Sequence, residues 1–189
     1  HRQCLDHIRQ SQARLFFDTY GCTIYNTLNP IEILERKLFG EKSDYSERAV
    51  YIDTGTRPPG NNPHVISEYI RKNGLVPESM LPFTDALQNL DEYASPKPLT
   101  SDIVSVGLEW ILKKDFLHDW AFVGGTPREK QERLKEAVRR SPLGVSVTAW
   151  KEYNGVYVKD EGEQDNHWTC LFSYEGDSPL IFDSYAPFI

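Results

Sequence analysis

Cys22, His167 and Asp183 are the residues of this sequence whose types and placement could do chemistry together. A thiolate is a strong nucleophile, but an ordinary thiol supplies little of it at neutral pH. An adjacent imidazole can take the thiol proton and hold the resulting ion pair, and a carboxylate behind the ring fixes its orientation. The stretch "DNHWTCLFSYEGDSPLIFDSYAPF" (165–188) reads as two strands joined by a turn near Glu175–Ser178. A hairpin folds back on itself, so His167 at the start of one strand becomes a neighbour of Asp183 at the end of the next. Cys22 follows Tyr20-Gly21 and opens a helix, where unpaired N–H groups and the positive end of the dipole favour an anion.

Each residue alone has a plainer reading. A lone cysteine at a helix start is more often a small core residue, a strand histidine is more often hydrogen-bonded structure, and an aspartate after a strand is more often a turn residue. It is the set of three that points to nucleophilic catalysis. The remaining histidines lack such a setting: His64 falls in the first turn of a helix and His118 in a loop beside Trp120. No Cys/His spacing fits a zinc site, and thiol chemistry of this kind needs no cofactor. Cys170, three residues after His167, points to the opposite face of its strand and reads as core.

The elements that must position these groups come as helices first and strands afterwards. A helix runs from Cys22 through Ile24, Leu28, Ile31, Leu34 and Leu38 to Gly40, with a kink expected at Pro30. Ser46 caps a short helix closing at Thr54-Gly55. Asn62-Pro63 opens a third, with Val65, Ile66, Tyr69 and Ile70 on one face and Gly74 as its stop. Thr100 opens another through Ile103, Val104, Leu108 and Ile111. Thr126, Pro127 and Glu129 form a capping box for a helix ending near Arg140. After Pro142, "LGVSVTAW", "GVYVK", "HWTCLFSY" and "PLIFDSY" read as strands. This is the order of an α+β fold with segregated lobes, with "YASPKPL" (93–99) a Pro-rich link and the lobe boundary near 95–125.

Composition narrows the classes. The chain has 189 residues, 39% hydrophobic and 12% aromatic, enough for one large domain or two small lobes with a shared cleft. A net charge of −7 argues against a nucleic acid as main partner, since phosphate binding needs clustered Lys and Arg. The basic pairs, such as Arg36-Lys37 and Arg71-Lys72, fall at helix ends and suit the helix dipole. No run of eighteen apolar residues and no secretory signal is visible, which points to a soluble chain whose compartment is open. It begins at His1 without Met, as a trimmed or processed fragment would. Three cysteines (Cys4, Cys22, Cys170) cannot all pair, so at least one thiol is free.

Several segments, in order, resemble the papain-like cysteine peptidases. "DTYGCTIYNTL" (18–28) is similar to the segment in which that family's nucleophile begins a long helix, and "DYSERAVYI" (44–52) to the short helix after it. "HVISEYIRKNGLVPESMLPF" (64–83), "EAVRRSPLGVSVTAW" (136–150) and "DNHW" (165–168) resemble successive later segments. "FDSYAPF" (182–188) resembles the Asn-Ser-Trp-Gly segment, with Asp183 in the asparagine's place and Tyr185 in the tryptophan's. His167 and Asp183 are sixteen residues apart, as in the family.

The resemblance implies a papain-like two-lobe fold over residues 1–189. About 18–95 would be a helical lobe and about 125–189 an antiparallel β-barrel-like lobe, with the active site in the cleft between them. It implies peptide-bond hydrolysis by a Cys22–His167–Asp183 triad through a thioester, acting on a peptide or protein. An inhibitory segment or inhibitor protein would be a further partner, and residues 1–17 are either part of the fold or a remnant of such a segment. Two departures stand out. Thr23 follows the nucleophile where the family usually has Trp, and Phe16 stands where the family's oxyanion-hole glutamine lies. Gln12, or else Gln10, is the nearest replacement. Two other readings therefore accompany the peptidase: a different Cys-His-Asp acyl hydrolase or transferase (amidase or transglutaminase-like), and an inactive papain-like module that binds peptides or a partner.

Overall fold

The computed structural model describes residues 17–121, 123–149, 151–154 and 156–185. Its central element is helix α1 (Cys22–Phe39). One side of α1 places Ile24, Leu28 and Ile31 in a cluster with Tyr45, Tyr51, Ile66, Ile70, Phe83, Tyr93 and Trp110. The other side puts Ile33 against Cys170, Phe172 and Phe182 of the sheet. Covered on both sides, α1 buries polar residues too, Asn26, Asn29, Glu32 and Glu35 among them. The helix continues unbroken through Pro30 and ends at Gly40, whose left-handed backbone (φ 74°) caps it.

Around α1 lie α2 (Glu47–Asp53), α3 (Pro63–Asn73), the single turn α4 (Leu90–Tyr93), α5 (Ser101–Lys113) and α6 (Pro127–Arg140). Their starts follow the cap chemistry of the sequence. Ser46, Asn62, Thr100 and Thr126 each accept a backbone N–H of the first turn, and Glu129 completes a capping box with Thr126. The inward face of α5 differs from expectation. Ile103, Gly107 and Trp110 are buried, whereas Val104 and Leu108 are about half exposed. The cause is a close crossing: a Cβ on Gly107 would stand 2.5 Å from the carbonyl oxygen of Asn73, so only glycine lets α5 approach the end of α3 there. Val65 on α3 is also exposed rather than inward.

Polar groups fasten the loop between α1 and α2. Glu32 Oε1 accepts the Tyr45 N–H at 2.8 Å, and Tyr45 Oη donates to Glu35 Oε2 at 2.8 Å. Trp110 Nε1 of α5 donates to Tyr45 Oη at 2.8 Å. Burial first, and then the charge of Glu47, push the Glu32 carboxyl well above the usual carboxylate range.

The strands are β1 (Leu143–Val147), β2 (Lys151–Tyr153), β3 (Val156–Val158), β4 (His167–Glu175) and β5 (Ser178–Phe182). β1, β4 and β5 form an antiparallel sheet with β4 in the middle, and β2–β3 is a separate two-stranded ribbon. The β-barrel-like lobe expected from sequence is not seen among the described residues: the sheet is open, since three strands are too few to close on themselves. The residues between Phe39 and Pro142 are otherwise helical or looped, so the broad α+β order holds.

Candidate active site

Cys22 is the first residue of α1, and Gly21 caps it with no side chain in the way. The amides of Ile24 and Tyr25 both bond to the Gly21 carbonyl, at 2.8 and 3.2 Å, so the helix is wound from its first residue. That leaves the Cys22 backbone N–H without an intrahelical acceptor, pointing outward at the helix start. The approach is held on both sides. Phe17 packs its ring 5.6 Å from Phe83 in the core, and the buried Thr19 accepts the Gly21 N–H at 3.2 Å. Cys22 itself is half-buried and free.

His167 begins β4 opposite Val147 of β1. The residues before it are fastened to the end of β1: Ser146 donates to Asp165 at 2.6 Å, and Asn166 Oδ1 accepts the Ala149 N–H at 2.7 Å. On the other edge of β4 the hairpin with β5 pairs Glu175 with Ser178, but Cys170 with Phe182. The register slips by one residue between Leu171 and Ser173, leaving Phe172 as an extra residue in a bulge. That slip decides whether the site exists. In the register set by the turn, His167 and Asp183 would lie on opposite faces of the sheet. Carried past the bulge, the same hairpin puts Asp183 on the His167 face. Nothing in the alternation of apolar residues announces the bulge, because β4 is buried almost continuously from His167 to Phe172.

The resulting geometry joins all three residues named from sequence. His167 Nε2 lies 3.1 Å from Asp183 Oδ2, both side chains nearly fully buried. The thiol of Cys22 is the other group acting on the ring, and with Nε2 facing Asp183 the nitrogen left for it is Nδ1. Burial works against a charged imidazole. The hydrogen bond to Asp183, the interaction with Cys22 and the charge of Asp183 outweigh it and raise the pKa of His167 from 6.5 to about 9. Tyr185, whose ring centroid is 5.4 Å from that of His167, covers the pair and donates its backbone N–H to Asp183 Oδ1 at 2.8 Å. Both oxygens of Asp183 are therefore occupied.

Cys170 lies only three residues beyond His167 yet is fully buried, and burial alone drives its thiol far above the ordinary range. Gln12, Gln10 and Cys4 lie outside the described residues. His64 and His118 meet edge to face, with ring centroids 5.6 Å apart, and His118 stacks on Phe116. Sequence reading did not bring these two together, because a loop residue gives no periodicity to follow. Among the described residues no group of three or more His, Cys, Asp or Glu side chains could hold a metal, and no helix is long and apolar enough to cross a membrane.

No protein-family model matches the chain, and no curated protein matches it by sequence. Among the solved structures similar in fold are two crystal structures of the proform of the Amb a 11 cysteine protease, a major ragweed pollen allergen. The 2.05 Å structure has a TM-score of 0.62 at 17% identity, over 96% of this chain and 53% of that one. The 2.70 Å structure has a TM-score of 0.63 at 16% identity, over 98% and 48%. This chain thus spans about half the length of those proforms. At that identity the likeness concerns the path of the backbone: mixed helices and a small antiparallel sheet, in a fold similar to that of a papain-like cysteine protease.

Proposed function

We propose that this chain is a papain-like cysteine peptidase, with residues 1–189 as one catalytic domain and Cys22, His167 and Asp183 as its triad. The observation that carries the reading is the buried His167–Asp183 pair, 3.1 Å apart, with the Cys22 thiol acting on the same ring and the imidazole pKa raised to about 9. A ring that holds its proton so strongly suits a thiolate–imidazolium pair, which attacks without first needing a base. The similar fold of a cysteine protease proform supports the same reading.

In the proposed mechanism the Cys22 sulfur bonds to the carbon of a peptide carbonyl, and the π electron pair moves to the oxygen. The Cys22 backbone N–H stabilises that oxyanion, with the side-chain amide of Gln12 proposed as second donor. The oxyanion collapses, the C–N bond breaks, and His167 gives its proton to the leaving amine. Neutral His167 then takes a proton from water as the water attacks the thioester. The C–S bond breaks, the acid product leaves, and the proton held by His167 restores the ion pair. Asp183 holds the ring through Nε2–H and favours its charged form.

An epoxysuccinyl peptide, which alkylates activated thiols, tests the reading. Mass spectrometry should find one equivalent on Cys22, and the untreated protein should cleave members of a peptide library while the labelled one does not. A protein whose Cys22 ignores the reagent is not a thiol hydrolase; one that is labelled but cleaves only non-peptide amides is a different acyl hydrolase.

A further inference from the structure

Asp18 and Tyr185 stand 167 positions apart in sequence, and the Tyr185 phenol donates to Asp18 Oδ2. Asp18 belongs to the approach to Cys22: its Oδ1 accepts the Tyr20 N–H at 2.7 Å. Tyr20 is held at φ 56°, a left-handed backbone uncommon for a residue with a side chain, and two residues later the chain reaches Cys22. Tyr185 belongs to the acid side. Its N–H binds Asp183, and its ring lies against His167. Together these contacts close a circuit: Cys22 to His167, to Asp183, to Tyr185, to Asp18, and back through Tyr20 and Gly21 to Cys22.

We propose that Asp18 is a positioning residue, which through the Tyr185 hydroxyl fixes the span between the thiol of Cys22 and the imidazole of His167. The proposal rests on the thiol-hydrolase reading above. The physical case is one of constraint. Cys22 is carried by α1 and His167 by β4, so backbone alone sets their separation through a long path of packed side chains. The Asp18–Tyr185 bond is a second, short path, joining the segment that leads into α1 to the one that follows β5 and carries Asp183. A phenol is needed for it: an aromatic side chain without a hydroxyl could cover His167 equally well but could not reach back to the segment that carries the nucleophile.

Three variants of the full chain test this: Tyr185→Phe, Asp18→Asn and Asp18→Ala. The measurement is the second-order rate of Cys22 alkylation by the epoxysuccinyl peptide across pH 5–10, with thermal melting to establish folding. Tyr185→Phe should slow alkylation about tenfold, because it frees the span while keeping the ring. It should also draw the alkaline fall of the profile to lower pH. Asp18→Ala should act alike, and the double variant Asp18→Ala/Tyr185→Phe should be no slower than either single one. Asp18→Asn, whose amide oxygen still accepts the phenol, should recover most of the rate. A folded Tyr185→Phe protein with a rate within twofold of the parent and the same pH profile overturns the positioning role while leaving the hydrolase reading intact. A parent whose Cys22 does not react overturns both. If Asp18→Ala does not fold, the Tyr185→Phe and Asp18→Asn pair decides.

Discussion

Cys22 and Cys170 are the same functional group in two surroundings, one at the start of α1 and the other in β4, the strand that carries His167. Cys170 is sealed between α1 and the hairpin with Ile33, Phe172 and Phe182, and its thiol is pushed up by burial alone. Cys22 sits half-exposed at a helix start with an imidazole as partner. Under the proposed function, the two sulfurs should differ in reactivity both because Cys170 is deeply buried and because Cys22 has an imidazole facing it. A thiol packed among apolar side chains is a small hydrophobe; a thiol beside a retained positive charge is a nucleophile.

The largest effect expected from breaking this contrast comes from exchanging the two sulfurs separately. Cys22→Ser should cost at least about a thousandfold in peptide cleavage, since the hydroxyl does not form a comparable ion pair with His167. Cys170→Ser should leave the rate per folded molecule near that of the parent. It would bury a hydroxyl where no acceptor is shown, lowering stability by about 1–3 kcal/mol in urea unfolding.

The next effect concerns Asp183. Asp183→Ala removes the acceptor that holds the ring and should lower cleavage by roughly 10- to 100-fold. Asp183→Asn keeps an acceptor and should lose less. Both should shift the alkaline limb of the rate profile, expected near pH 9 in the parent, toward the ordinary 6.5 of an unpaired histidine. The sign for stability follows from the same shift. Below pH 6.5 the ring is protonated folded or unfolded and its pairing stabilises the fold in full; that contribution fades as pH rises through about 9, where the folded ring loses its proton. Thermal melting across pH 6–10 should therefore show a loss in the parent that is smaller in Asp183→Ala.

A gentler comparison is selective labelling. Brief iodoacetamide treatment at about pH 6, where ordinary thiols are slow, should modify Cys22 and leave Cys170 untouched. Preferential labelling of Cys170 would sink the contrast. The smallest effect lies far from both thiols: Thr126→Ala breaks the capping box of α6 and should cost about 1 kcal/mol in denaturant with no change in cleavage.

The parts of this fold that were legible in sequence are those decided within a few residues. Gly40, Ser46, Asn62-Pro63 and Thr126-Pro127-Glu129 bound their helices as expected because a cap is satisfied by its own first or last turn. The turn of the β4–β5 hairpin was legible for the same reason. What escaped depends on partners distant in sequence. The outward turn of Val104 and Leu108 follows from the fit of Gly107 against the end of α3, and β2 is a three-residue strand too short to show a period. The bulge at Phe172 is the instructive case. Reading the hairpin without it correctly placed His167 near Asp183 along the strands, yet that register would have aimed them to opposite faces.

The central claim is that Cys22 and Asp183 together keep a buried His167 charged, and a nuclear magnetic resonance titration of the His167 ring tests it most directly. Imidazole nitrogens labelled with ¹⁵N should show His167 protonated up to about pH 9 in the parent, with the midpoint falling in both Cys22→Ala and Asp183→Ala. A midpoint near 6.5 in the parent, unmoved by either substitution, would contradict the account.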